Sequence, residues 1–161
     1  MDYNLFIEWA EKNNWYVTKR KKTAIDLNDS VKLKYKFLPL EYLNFITNLE
    51  EVVSPKDTTW FLCECDYNNN SKSQYKWNEF ELLELNASID DAEWTKRIKE
   101  WWSQYFPIMI SVDGCYSFWA INIFDGIVVR GAEPEFEEVE KVANNFDEFL
   151  LLIMEKKICI N

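Results

Sequence analysis

The chain has 161 residues and no histidine. Without imidazole there is no Ser-His or Cys-His nucleophile pair, no histidine general base, and no zinc site of the kind that needs a ring nitrogen. Glycine is almost as scarce, with only Gly114, Gly126 and Gly131 present. Neither a GxxxxGK[ST] phosphate loop nor a GxGxxG dinucleotide turn can be drawn on three such positions. No apolar run approaches the ~18 residues of a membrane helix. The start Met1-Asp2-Tyr3-Asn4 lacks the basic and apolar stretches of a secretory signal. The expectation is a cytoplasmic protein with no membrane partner.

Cysteine is sparse too, at Cys63, Cys65, Cys115 and Cys159. Cys-x-Cys on a strand would point both thiols to one face, which is conceivable for a metal, but the CxxC knuckle is missing. The residues read as reduced, mostly buried thiols acting as small hydrophobes, with no metal and no cofactor expected.

What the chain does have is apolar and aromatic bulk: 48% hydrophobic and 17% aromatic residues, including 8 Trp, 8 Tyr and 11 Phe. That is ample for one core, and the length suits a single domain over residues 1–161. The formal net charge is -10. A surface so acidic repels phosphate backbones, so nucleic acid is excluded as a partner and a basic protein is favoured. The charge is unevenly spread. Residues 1–36 hold eight Lys or Arg against five Asp or Glu, and the remainder holds ten against 23. The run Lys19-Arg20-Lys21-Lys22 reads as an exposed turn or edge strand rather than a phosphate contact.

Periodicity predicts a helix over residues 2–12 capped by Asp2, with Asn13-Asn14 as its stop. Val31, Leu33, Tyr35 and Phe37 alternate with lysines and predict a half-buried strand. A second helix is expected from Leu38-Pro39, carrying Leu40, Leu43, Ile46 and Leu49, and ending at Val52-Val53-Ser54-Pro55. Trp60 to Cys63 reads as a strand, Asp66 to Gln74 as a mobile polar loop, and Phe80 to Leu85 as a short strand. Trp94, Ile98, Trp101, Trp102 and Tyr105 form one stripe of a helix from about Asp90 to Tyr105. Asp113-Gly114 and Asp125-Gly126 then divide three apolar runs, over 108–112, 116–123 and 127–130, into an antiparallel meander. Both faces of the middle run are apolar, so it should lie inside a sheet. A last helix begins at Asn145. The expected architecture is α+β: one mostly antiparallel sheet packed by about four helices.

The densest chemical cluster is Glu133, Glu135, Glu137, Glu138 and Glu140, between the last predicted strand and the last helix. It lacks the glycine and alternating Asp/Asn ligands of a calcium loop. A catalytic carboxylate pair would need a shaped cleft and separated pKa values, which spacing does not establish. Two readings stay open, a solvated charged segment and a binding surface for a basic protein. Trp60 and Trp119 read as core residues or as interface anchors.

Several segments together resemble a known family. They are Leu38-Pro39-Leu40-Glu41-Tyr42-Leu43-Asn44-Phe45-Ile46, Thr59-Trp60-Phe61-Leu62, Trp102 with Phe106-Pro107-Ile108, Asp113 to Ile121, Gly126-Ile127-Val128, and Ala143 to Leu150. In this order and spacing they resemble the SMI1/KNR4 family, also called the SUKH superfamily, over about residues 38–153, with residues 1–37 as an N-terminal extension. The resemblance implies an α+β domain without catalytic residues. It also implies a bacterial immunity protein that binds and neutralises a cognate toxin, often a nuclease, as a monomer or weak homodimer. Under that reading the five glutamates are the partner-binding candidates. A non-enzymatic regulatory or scaffold domain without a toxin partner is the alternative, since a fold does not dictate its partner.

Overall fold

The computed structural model describes residues 1–158 and Ile160. Among them the chain runs α1 (Tyr3–Lys12), β1 (Tyr16–Lys19), α2 (Asp29–Lys34), α3 (Leu40–Ile46), β2 (Leu49–Val53), β3 (Thr59–Phe61) and α4 (Glu64–Tyr67). It continues through α5 (Glu79–Ala87), α6 (Ala92–Trp102), β4 (Tyr105–Ser111), β5 (Ser117–Asn122), β6 (Val128–Ala132), β7 (Glu135–Ala143) and α7 (Phe146–Met154). All seven strands form one sheet in sequence order, each antiparallel to the next. The α+β expectation holds, and the predicted three-stranded meander is the centre of a longer one.

The cross-strand register assigns the faces. Phe61, Met109 and Trp119 lie opposite one another, as do Trp60, Ile110 and Phe118 one residue away, so the two rows point to opposite sides. On the Phe61 side, Phe6 of α1, Phe45 of α3 and Phe149 of α7 meet the Phe61 ring at 5.7, 5.3 and 6.4 Å between centroids. On the other side Phe80 of α5, Trp102 of α6 and Phe136 of β7 surround Phe118. Helices therefore cover both faces, which explains why β4 and β5 are buried along nearly their whole length. Gly131 faces Phe118 across the sheet, and a Cβ there would stand 2.4 Å from the Phe118 ring. The ring occupies the space that any side chain at 131 would need. Gly114 and Gly126, at φ +81° and +77°, make the turns expected at the two Asp-Gly pairs.

Asp2 caps α1 as expected, its side chain accepting from the Asn4 N–H. Asp91 caps α6 through the Trp94 N–H, and Asn145 caps α7 through the Glu148 N–H. Other expectations fail. The predicted strand over 31–37 is helix α2: the Asn28 side chain accepts from the Val31 N–H, and Leu27, Val31 and Tyr35, four residues apart, are buried while Leu33 is exposed. The predicted helix from Leu38 ends at Ile46, and Leu49 to Val53 instead pair with β1. The predicted strand at 80–85 is α5. The Asp66–Gln74 loop was expected to lie wholly in solvent, yet α4 takes its first residues. Asp66 and Tyr67 are buried there, and the Tyr67 hydroxyl donates to the Pro107 carbonyl at 2.6 Å. Seven helices are thus described where about four were expected, the additional ones being α2, α4 and α5.

The thiols also differ from expectation. Cys63 is buried, Cys65 is half-buried in α4 rather than sharing a strand face with Cys63, and Cys115 is exposed. Cys159 lies outside the described residues. Among the described residues no helix is long and apolar enough to cross a membrane.

Candidate functional site

The glutamate cluster forms the turn into β7 and most of β7 itself, an edge strand that sequence patterning did not reveal. Its burial alternates irregularly because the pairing with β6 shifts register twice. The bulges turn the five carboxylates in different directions. Glu133 accepts from the Tyr116 backbone N–H at 3.0 Å, holding the β6–β7 turn against the start of β5. Glu140 faces Arg130 of β6 at 3.4 Å, and that guanidinium sits 5.6 Å over the Trp119 ring. Glu137 turns inward to hydrogen-bond with Glu84 of α5. Glu135 and Glu138 are exposed. The structure therefore builds an acidic edge from Glu133, Glu135, Glu138 and Glu140 and takes Glu137 out of it.

Glu84 and Glu137 are a carboxyl pair that residue spacing could not disclose, since they lie 53 positions apart and on different elements. Burial pushes the Glu84 carboxyl up to about 8, the hydrogen bond its protonated form donates to Glu137 adds to the rise, and the Trp102 indole N–H donating at 2.5 Å opposes it. Neither residue lines the two clefts described next. Among the described residues no three Asp, Glu or Cys side chains converge in a way that would hold a metal ion.

Two clefts flank the sheet, and each contains one of the tryptophans that sequence reasoning singled out. Trp119 is buried and lines a cleft of about 390 Å³ with Thr59, Ser111, Ser117, Arg130 and Glu140. The Thr59 hydroxyl donates to Ser111 at 2.8 Å, and Ser117 faces Ser111 in the next strand, so a row of hydroxyls crosses the sheet there. Trp60 is half-buried in a larger cleft of about 530 Å³ between β2, β3 and residues 70–75. Core packing thus accounts for Trp119, whereas Trp60 keeps an open side.

The basic run near the N-terminus is largely used inside the molecule. Lys19 ends edge strand β1 and pairs with Glu11, while Arg20 and Lys22 both clamp Glu64 at 2.5 Å. Burial alone would raise the Glu64 carboxyl, but Lys22, the Asp26 backbone N–H and Arg20 together hold it below the ordinary carboxylate range. Lys34 closes a second such pair with buried Glu81. Neutralising these cations internally leaves the acidic excess on the outside.

Compared with protein-family models, with curated proteins and with solved structures, the chain finds no match.

Proposed function

We propose that this chain is an inhibitory binding protein of the SUKH immunity type, which acts in the cytoplasm by covering the working surface of a basic toxin. On this reading it makes and breaks no bonds itself. The observation that carries the proposal is the exposed edge strand β7 with its adjoining turn, where Glu133, Glu135, Glu138 and Glu140 present carboxylates along an open sheet edge. The internal use of Arg20, Lys22 and Lys34 supports it, because these cations are paired with Glu64 and Glu81 and leave the surface excess acidic. A toxin that handles nucleic acid needs a cationic cleft for phosphates, and a line of carboxylates complements the same cleft. Complementary charge speeds encounter well above the ~10⁵ to 10⁶ M⁻¹s⁻¹ of unsteered pairs.

The test is co-expression with the product of the neighbouring gene, followed by stopped-flow association of the purified pair. Growth rescue is expected, with an on-rate that falls steeply with salt. Replacing the four glutamates by glutamine should slow association about tenfold without loss of fold. An unchanged on-rate would reject this edge as the contact, and turnover of a substrate by the pure chain would reject the inhibitory reading.

A further inference from the structure

The larger cleft has a composition that the β7 edge does not share. One wall is aromatic: Trp60 of β3 packs against Tyr75 at 5.7 Å between ring centroids. Around these rings stand Glu50 and Glu51 of β2, Asp57 in the β2–β3 turn, and Asp66 of α4, while Lys72 is the sole cation among the described lining residues. Glu50, Glu51 and Asp57 are exposed at the rim. Asp66 is buried at the inner end, where its carboxylate accepts from the Cys63 N–H at 2.8 Å. The Trp60 indole N–H is buried and finds no acceptor among the described residues. A buried donor left unsatisfied favours a partner that brings an acceptor such as a backbone carbonyl beside the inserted side chain.

Aromatic faces beside carboxylates suit one kind of occupant. A Lys or Arg side chain can lay its methylenes on the rings, place its charge over a π face and reach the carboxylates with its head group. An anion would meet the acidic rim, and a purely apolar group would leave the rim desolvated without a partner. Trp and Tyr are also the residue types most enriched where binding energy concentrates. The cleft is joined to the acidic edge by an unbroken line of contacts. Tyr75 meets Tyr116 at 6.0 Å, and the Tyr116 N–H donates to Glu133 at the start of the β7 edge.

We infer that this cleft is the anchor pocket for a basic partner, receiving one Lys or Arg side chain between Trp60 and the carboxylates of Glu50, Glu51 and Asp57. The inference rests on the binding-protein reading above and gives it a specific contact. The edge strand steers the partner, and the cleft holds it.

The pocket can be tested without the partner. The full chain, labelled with ¹⁵N at its tryptophan indoles, is titrated with N-acetyl-lysine methylamide and, separately, with the uncharged N-acetyl-norleucine methylamide. The Trp60 signal is assigned from Trp60→Phe. A saturable shift of that signal with the lysine probe alone is expected, and the Glu50→Gln, Glu51→Gln, Asp57→Asn triple variant should weaken it about fivefold, as should high salt. These three substitutions lie at the surface and spare the core, and if Trp60→Phe folds poorly the Trp60 indole is assigned from through-bond connectivities in the parent chain. No shift at Trp60, an equal shift with norleucine, or an undiminished shift in the triple variant would each overturn the pocket. None of these outcomes bears on growth rescue or on the glutamine variants of β7, so the two proposals fail separately.

Discussion

Glu84 is the residue whose behaviour departs furthest from its type. It is nearly buried, receives the Trp102 N–H, and shares a hydrogen bond with Glu137, so its carboxyl is held up at about 8. In the unfolded chain the same group titrates near the ordinary glutamate value of 4.5. Between these two values the folded state binds more protons than the unfolded one, so this group's contribution to stability falls as pH rises from about 4.5 to about 8 and is flat beyond. Glu84→Gln keeps an acceptor for Trp102 and removes the titration. The variant should match the parent near pH 5 and exceed it at pH 8 by on the order of 2 kcal/mol in urea unfolding, less than full linkage because Glu137 retains contact with solvent. A parent and variant with parallel pH profiles would show that Glu84 is ionised in the fold. The glutamate run was legible in the sequence as a density of charge. What each carboxylate touches was not, because Arg130, Tyr116 and Glu84 are brought to it by strand pairing and by a helix packed across the sheet.

Among the elements, those marked by turn chemistry and caps were the legible ones. Asp2 caps its helix where expected, Asn145 stands at the expected start of α7, and both Asp-Gly pairs turn the chain between strands. Where a local pattern was ambiguous, tertiary contacts decided. In α2 the alternation of Val31, Leu33, Tyr35 and Phe37 was coincidental: Leu33 is 86% and Phe37 51% exposed, and Lys34 turns inward to Glu81. In α5 the normal helix pattern is reversed, since Glu81 and Glu84 are buried while Leu83 is exposed. No periodicity rule finds such a helix, because its inner face is satisfied by Lys34 and Trp102 from other elements. β7 was hidden by its glutamates, which are poor strand formers, and by its bulges. The decisive contact in α2 is the cap. Asn28 accepts from the Val31 N–H and donates to the Tyr67 carbonyl at 2.7 Å, tying α2 to α4. Asn28→Ala should therefore lower stability by about 1 to 2 kcal/mol, measured by denaturant unfolding. Were residues 31–37 a strand after all, the change would cost almost nothing.

At the scale of the whole molecule, one charge distribution pulls stability in two directions. The surplus of 28 acidic over 18 basic residues repels itself across the surface, and salt relieves that repulsion. Salt also weakens the attraction between the basic N-terminal segment and the acidic remainder. The geometry decides which effect is larger. The ion pairs that tie the N-terminal segment down end on Glu64 and Glu81, which are only 4% and 5% exposed, and mobile ions screen such pairs poorly. The exposed carboxylates of β7 and of the Trp60 cleft rim lie mostly in solvent, where screening is effective. Relief of repulsion should win, and raising sodium chloride from about 20 to 300 mM should raise the melting midpoint by a few degrees, read by circular dichroism. On the proposed binding reading the same screening should slow capture of a basic partner, so conditions that stabilise the free protein would weaken its steering. A midpoint that falls with salt would mean that attraction between exposed charges outweighs the repulsion, and that the buried clamps on Glu64 and Glu81 contribute little.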